Sequence, residues 1–81
     1  MTEEATNGAS WGLQELDSSS IAWVRYDANC RDMYVCFRES REVYVYLGVD
    51  PVTYRRFLKA ESRGAFLNRE IKGHYNTTKL G

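Results

Sequence analysis

Arg41-Glu42-Val43-Tyr44-Val45-Tyr46-Leu47-Gly48-Val49-Asp50-Pro51 is the stretch on which the reading of this chain turns. Five β-branched, aromatic or aliphatic residues in a row, Val43 to Leu47, make a strand, and successive side chains on a strand point to opposite faces. Tyr44 and Tyr46 therefore share one face, and Val43 and Val45 the other. Gly48 breaks the run. Asp50 then suits a helix N-cap, and Pro51 suits the first helical position, where its missing N–H costs nothing. The stretch is a joint at which a small sheet hands over to helices.

The same reading extends in both directions. Ser18-Ser19-Ser20 precede a strand over Ile21 to Tyr26. Asp27 to Asp32 is a polar turn in which Asn29 suits a left-handed conformation. Met33 to Arg38 is a second strand, Glu39 to Glu42 a tight turn, and Val43 to Leu47 the third strand of an antiparallel meander. With Ser40 and Arg41 as the turn residues, Phe37 faces Tyr44 and Val35 faces Tyr46. Met33, Val35, Phe37, Tyr44 and Tyr46 then form the core face, and Tyr34, Cys36, Val43 and Val45 the outer face. No Gly or Asn supplies a primed turn there, so a slip or a longer loop remains open, and a one-residue slip would exchange the faces.

Beyond Pro51, Tyr54, Phe57 and Leu58 recur at helical spacing and form an inward stripe. Ala60-Glu61 ends that helix. Ser62 caps a second one containing Phe66, Leu67 and Ile71, with Gly73 at its end. The fold class is thus α+β: a three-stranded antiparallel meander followed by two helices packed on one face, spanning residues 18–75. Residues 1–17 read as a flexible N-terminal arm carrying Trp11, and residues 76–81 as a polar tail.

These residues resemble the KTSC domain family. The shared set comprises Ser19-Ser20-Ile21, Tyr26-Asp27, the alternating Met33, Val35 and Phe37, Tyr44-Val45-Tyr46, and Gly48-Val49-Asp50-Pro51. It continues with Tyr54, Leu58, Ala60-Glu61-Ser62-Arg63-Gly64, Phe66, Asn68, Ile71 and Tyr75. The family takes its name from a C-terminal domain of some lysyl-tRNA synthetases and includes short stand-alone bacterial and phage proteins. Val45 departs from the family pattern, which places a polar residue between the two tyrosines. The resemblance implies this fold and, through the synthetase association, suggests an RNA-binding role.

Composition bounds the function. The chain has 81 residues and no net charge, enough for one small core. Glu3 and Glu4 open it with no apolar run behind them, which argues against a signal peptide and for the cytoplasm; no membrane partner is expected. Cys30 and Cys36 are one pair without Cys-x-x-Cys spacing, and His74 is the only histidine, so no disulfide framework, metal site or cofactor is expected. The carboxylate pairs Asp27 with Asp32 and Glu39 with Glu42 lie in turns, where solvated carboxylates are ordinary. No phosphate loop or triad spacing exists. The chain is expected to be no enzyme and to have no small-molecule substrate.

The neutral total conceals a split. Residues 1–50 carry nine acidic and four basic side chains, net −5, and residues 51–81 carry two acidic and seven basic, net +5. Arg55, Arg56, Lys59, Arg63, Arg69 and Lys72 could form one phosphate-binding patch for RNA or another nucleic acid on the helices. Tyr44 and Tyr46 could stack bases, although their spacing places them with the core. The alternative function is protein interaction, as a homodimer or an inhibitor-like module of a phage or bacterium. It would use the apolar outer face of Tyr34, Cys36, Val43 and Val45.

Overall fold

A computed structural model describes residues 10–80. Five strands, β1 (Ser10–Glu15), β2 (Ile21–Asp27), β3 (Asp32–Phe37), β4 (Val43–Leu47) and β5 (Thr77–Leu80), form one antiparallel sheet in the order β1-β2-β3-β4-β5. Two helices, α1 (Pro51–Lys59) and α2 (Arg63–Phe66), connect β4 to β5, and a π-helical turn over Leu67–Ile71 extends α2. The sheet is two strands wider than the expected meander. Residues 10–15, expected as part of an arm, and residues 77–80, expected as part of a tail, supply the edge strands. Residues 1–9 of the expected arm lie outside the described residues, as does the side chain of Trp11.

Both additions have a physical reason. Thr77 and Thr78 are β-branched and favour extended backbone, and they complete the hydrogen bonding of β4, which would otherwise be an edge. In β1 the register against β2 shifts by one residue between Ser10 and Leu13, and Gly12 takes φ +71° there. That bulge hides the period-2 pattern from the sequence.

The β3–β4 hairpin corrects the expected register. Val35 pairs with Tyr44 and Met33 with Tyr46, two residues from the expected alignment. Phe37 N–H donates to the Glu42 carbonyl at 3.0 Å, and Arg41 N–H to the Phe37 carbonyl at 2.8 Å. Arg41 adopts φ +63°, so the loop is longer than the two-residue turn proposed from the sequence. A shift of two preserves parity. The face assignments therefore stand, although the partners differ. In the preceding turn it is Arg31, not Asn29, that takes the left-handed conformation, at φ +60°. Asn29 N–H instead donates to the Asp27 carboxylate.

The helices cover the face carrying Val24, Tyr26, Met33, Val35 and Tyr46, and bury Tyr54, Phe57, Phe66, Leu67 and Ile71 against it. Tyr26 and Tyr54 stack with ring centroids 4.4 Å apart. Burial pushes the Tyr54 hydroxyl up to about 12, with Tyr26 adding to the shift. The Tyr26 hydroxyl donates to the Val49 carbonyl within the joint before α1. Gly48 turns the chain there with φ +82°, and Gly48 and Val49 both donate N–H groups to the Arg31 carbonyl. Asp50 holds the N-cap position with extended backbone, but its carboxylate makes no capping hydrogen bond. The neighbouring Thr53 side chain nonetheless holds the Asp50 carboxyl below its ordinary range. Ser62 does cap α2, accepting from Ala65 N–H at 3.3 Å.

Two substitutions probe this core. Phe57 is fully buried between Tyr54 and Phe66, so Phe57→Ala should cost about 3–5 kcal/mol and unfold much of the protein at ambient temperature. Tyr26→Phe keeps the stacking but orphans the Val49 carbonyl, and should cost about 1–3 kcal/mol. Chemical denaturation measures both, and a Phe57→Ala protein as stable as wild type would contradict the helix-on-sheet packing.

Candidate functional site: a basic helical surface and an adjoining aromatic cleft

The six helical cations are engaged in different ways. Arg56 and Arg69, from α1 and the π-helical turn, converge on one ring: their guanidinium carbons lie 5.5 and 5.9 Å from the centroid of Phe66. Arg69 also meets Glu70 at 3.1 Å, and its backbone carbonyl lies 3.0 Å from His74 Nε2. Arg55 and Lys59 are exposed on α1. Arg63 serves the fold, since a terminal guanidinium nitrogen donates to the Leu58 carbonyl at 2.8 Å and its Nε is buried. Lys72 is the residue that closes the π-helical turn, and it lines an aromatic cleft.

That cleft has a volume of about 380 Å³. It opens where the helical layer ends, so Phe37 and Tyr44 are only half-buried, whereas Tyr46 beneath them is 2% exposed. Phe37 and Tyr44 meet edge to face, with centroids 5.5 Å apart at 79°. Glu42 and Ser40 of the hairpin, Lys72, and Thr77 of β5 complete the lining. Glu42 accepts from the Tyr44 hydroxyl at 3.4 Å and pairs with Lys79 of β5 at 2.7 Å. This Lys79 hydrogen bond holds the Glu42 carboxyl below its ordinary value, and Glu42 in turn holds the Lys79 ammonium above its own. Lys72 has no side-chain partner among the described residues. Phe37, Ser40 and Thr77 were not singled out as site residues from the sequence, and Glu42 entered only as half of a solvated turn pair with Glu39. The β-branched Thr77-Thr78 pair was the available signal for the strand that closes the cleft.

The outer face is less bare than its sequence pattern implies. Cys36 and Val45 are 3% and 6% exposed, while Tyr34 and Val43 are half-buried. Register sets Cys36 between Trp23 and Val43, and Val45 between Tyr34 and Thr78. The Arg25 guanidinium lies 5.4 Å from the Tyr34 ring centroid. Exposed leucines surround this centre: Leu13 opposite Arg25, Leu47 opposite Asp32, and Leu80 opposite Val43.

The remaining candidates carry little chemistry. Cys30 is exposed, but Asp27 above all, and also Asp32, raises its thiol pKa, which disfavours the nucleophilic thiolate. His74 is exposed on the carbonyl of Arg69. Among the described residues no three His, Cys, Asp or Glu side chains are placed to hold a metal ion. No helix among them is long and apolar enough to cross a membrane.

Fold and surface together define a small α+β module whose open features are a surface and a cleft. Its residues 17–75 match the KTSC domain model, and the chain belongs to the KTSC domain family. It is similar to the crystal structure of a KTSC domain protein from Yersinia pestis, with 36% identity and a TM-score of 0.81 over 85% of this chain and 96% of that one. No curated protein matches the chain significantly.

The Glu42–Lys79 pair ties β5 to the hairpin and should make that edge pH-sensitive. A lowered carboxyl pKa contributes stability above its ordinary value, and that contribution is lost as pH falls through the lowered one. The ordinary value is 4.5. Below it, the amides of β5 should lose exchange protection before those of β2 and β3. Lys79→Ala should remove this selective acid response, as followed by amide exchange.

Proposed function

We propose that the domain is a non-catalytic binding module that takes up nucleic acid, RNA foremost, on its helical surface. The observation that carries this reading is the convergence of Arg56 and Arg69 on Phe66. A guanidinium over a ring is partly ordered before a ligand arrives, so it loses less freedom on meeting a phosphate. The concentration of seven of the chain's eleven basic side chains after residue 50 supports the same surface. Arg55 and Lys59 extend it along α1. Arg63, engaged with Leu58, contributes to the scaffold.

Contacts of this type release counterions, so binding should be weak and fall steeply with salt. Titrating labelled single-stranded RNA into the protein at low salt tests the reading. The double substitution Arg56→Glu with Arg69→Glu should weaken binding by about tenfold or more, and Cys36→Ser should leave it unchanged. Absence of any binding at low salt would remove the proposal.

A second reading, a protein partner or a second copy on the outer face, rests on a different observation. Leu13, Leu47 and Leu80 are 53%, 40% and 39% exposed there around a half-buried Tyr34 and Val43. Exposed apolar groups clustered on one face favour protein contact. Light scattering at high protein concentration tests the second copy. A dimer that Leu47→Glu dissociates without altering the melting temperature would support it, and a strict monomer would exclude the homodimer.

A further inference from the structure

We infer that the cleft between the β3–β4 hairpin, β5 and Lys72 is a nucleotide-binding site. It would take a planar heteroaromatic ring against Tyr44 and Phe37 and the attached phosphate at the Lys72 ammonium. This goes beyond the helical-surface reading, because a nucleotide could occupy the cleft whether or not a strand binds the arginines.

The lining selects the ligand class. Half-buried Phe37 and Tyr44 above a buried Tyr46 offer apolar ring surface, and exposed aromatic faces stack nucleobases irrespective of sequence. The volume of about 380 Å³ lies at the lower end of the range for small-molecule pockets. Lys72 supplies a cation with no side-chain partner among the described residues, which suits an anionic group. Glu42 supplies the opposite requirement. It is already neutralised by Lys79 at 2.7 Å, so it suits a neutral N–H donor better than a second cation. A nucleobase edge carries such donors, and the Ser40 and Thr77 hydroxyls can meet the acceptors beside them. A simple aryl carboxylate would bring the anion but no donor edge. An amino acid would bring a cation to a carboxylate that already has one.

The nucleotide could be free or could belong to a strand, and one experiment separates the two. Amide resonances of the full chain are followed while adenosine monophosphate is added, and separately while a short oligoadenylate is added. Shifts should cluster at Phe37, Tyr44, Tyr46 and Thr77. Lys72→Glu, at an exposed position, should leave the fold intact and weaken binding about tenfold or more. Tyr44→Ala should weaken it about tenfold through lost stacking, and Tyr44→Phe should retain it. If Tyr44→Ala does not fold, Lys72→Glu with Tyr44→Phe decides the matter. These responses with the mononucleotide support a free nucleotide; the same responses with the oligonucleotide alone support a nucleotide within a strand. Arg56→Glu with Arg69→Glu should leave mononucleotide binding within about twofold, because surface charges that make no contact contribute little, while removing the strand affinity of the helical surface. Absence of shifts at the cleft with either ligand, or shifts insensitive to Lys72→Glu, overturns the inference whatever the helical surface does.

Discussion

The hydrogen bond from the Tyr26 hydroxyl to the Val49 carbonyl is the contact on which the remaining geometry depends. Its donor lies on β2, near the middle of the sheet, and its acceptor lies immediately before the first helix. A tyrosine hydroxyl drawn this deep needs a partner, because an unpaired buried polar group is costly. The joint provides one, and the Arg31 carbonyl holds the same joint from the other side through Gly48 and Val49. The direction of α1 is thereby set relative to the sheet. Tyr54 can then stack on Tyr26, Phe57 can follow, and Phe66 closes the row. The helical layer so positioned stops short of Phe37 and Tyr44. The cleft is the remainder of a core that the two helices are too short to cover.

The parts of this architecture legible in the sequence are those governed by parity and helical period. Val43 to Leu47 alternates faithfully, and Tyr54, Phe57 and Leu58 define a stripe. Asp50-Pro51 and Ser62 mark the helix starts correctly. The hairpin register escaped because residues 38–41 contain no turn residue that dictates loop length, and Arg41 takes a left-handed conformation that its type seldom signals. The error was an even number of residues, so the faces survived it. β1 escaped because Gly12 and the register shift interrupt its alternation. β5 escaped because its four residues are exposed and three of them polar, and its strand form comes from pairing with β4 rather than from burying a face.

The site was less legible than the fold. A list of cations in one half of a chain does not say which of them meet. Arg63 turned inward to a carbonyl, Arg56 and Arg69 converged on Phe66, and Lys72 moved to the cleft. Likewise, Cys36 and Val45 are apolar residues on the outer face, yet they are buried on it. Pattern identified the face but not its cover.

The two margins of the sheet constrain how the molecule can meet anything else. A strand with unpaired backbone groups invites further strands to add to it. Here one margin is bent by the bulge at Gly12, and the other is four residues long and carries Lys79. Among the described residues neither offers a long, flat ladder on which a neighbour could extend the sheet. The domain is therefore poorly suited to growing by strand addition into fibrils. The two broad sides of the sheet present side chains rather than backbone amides.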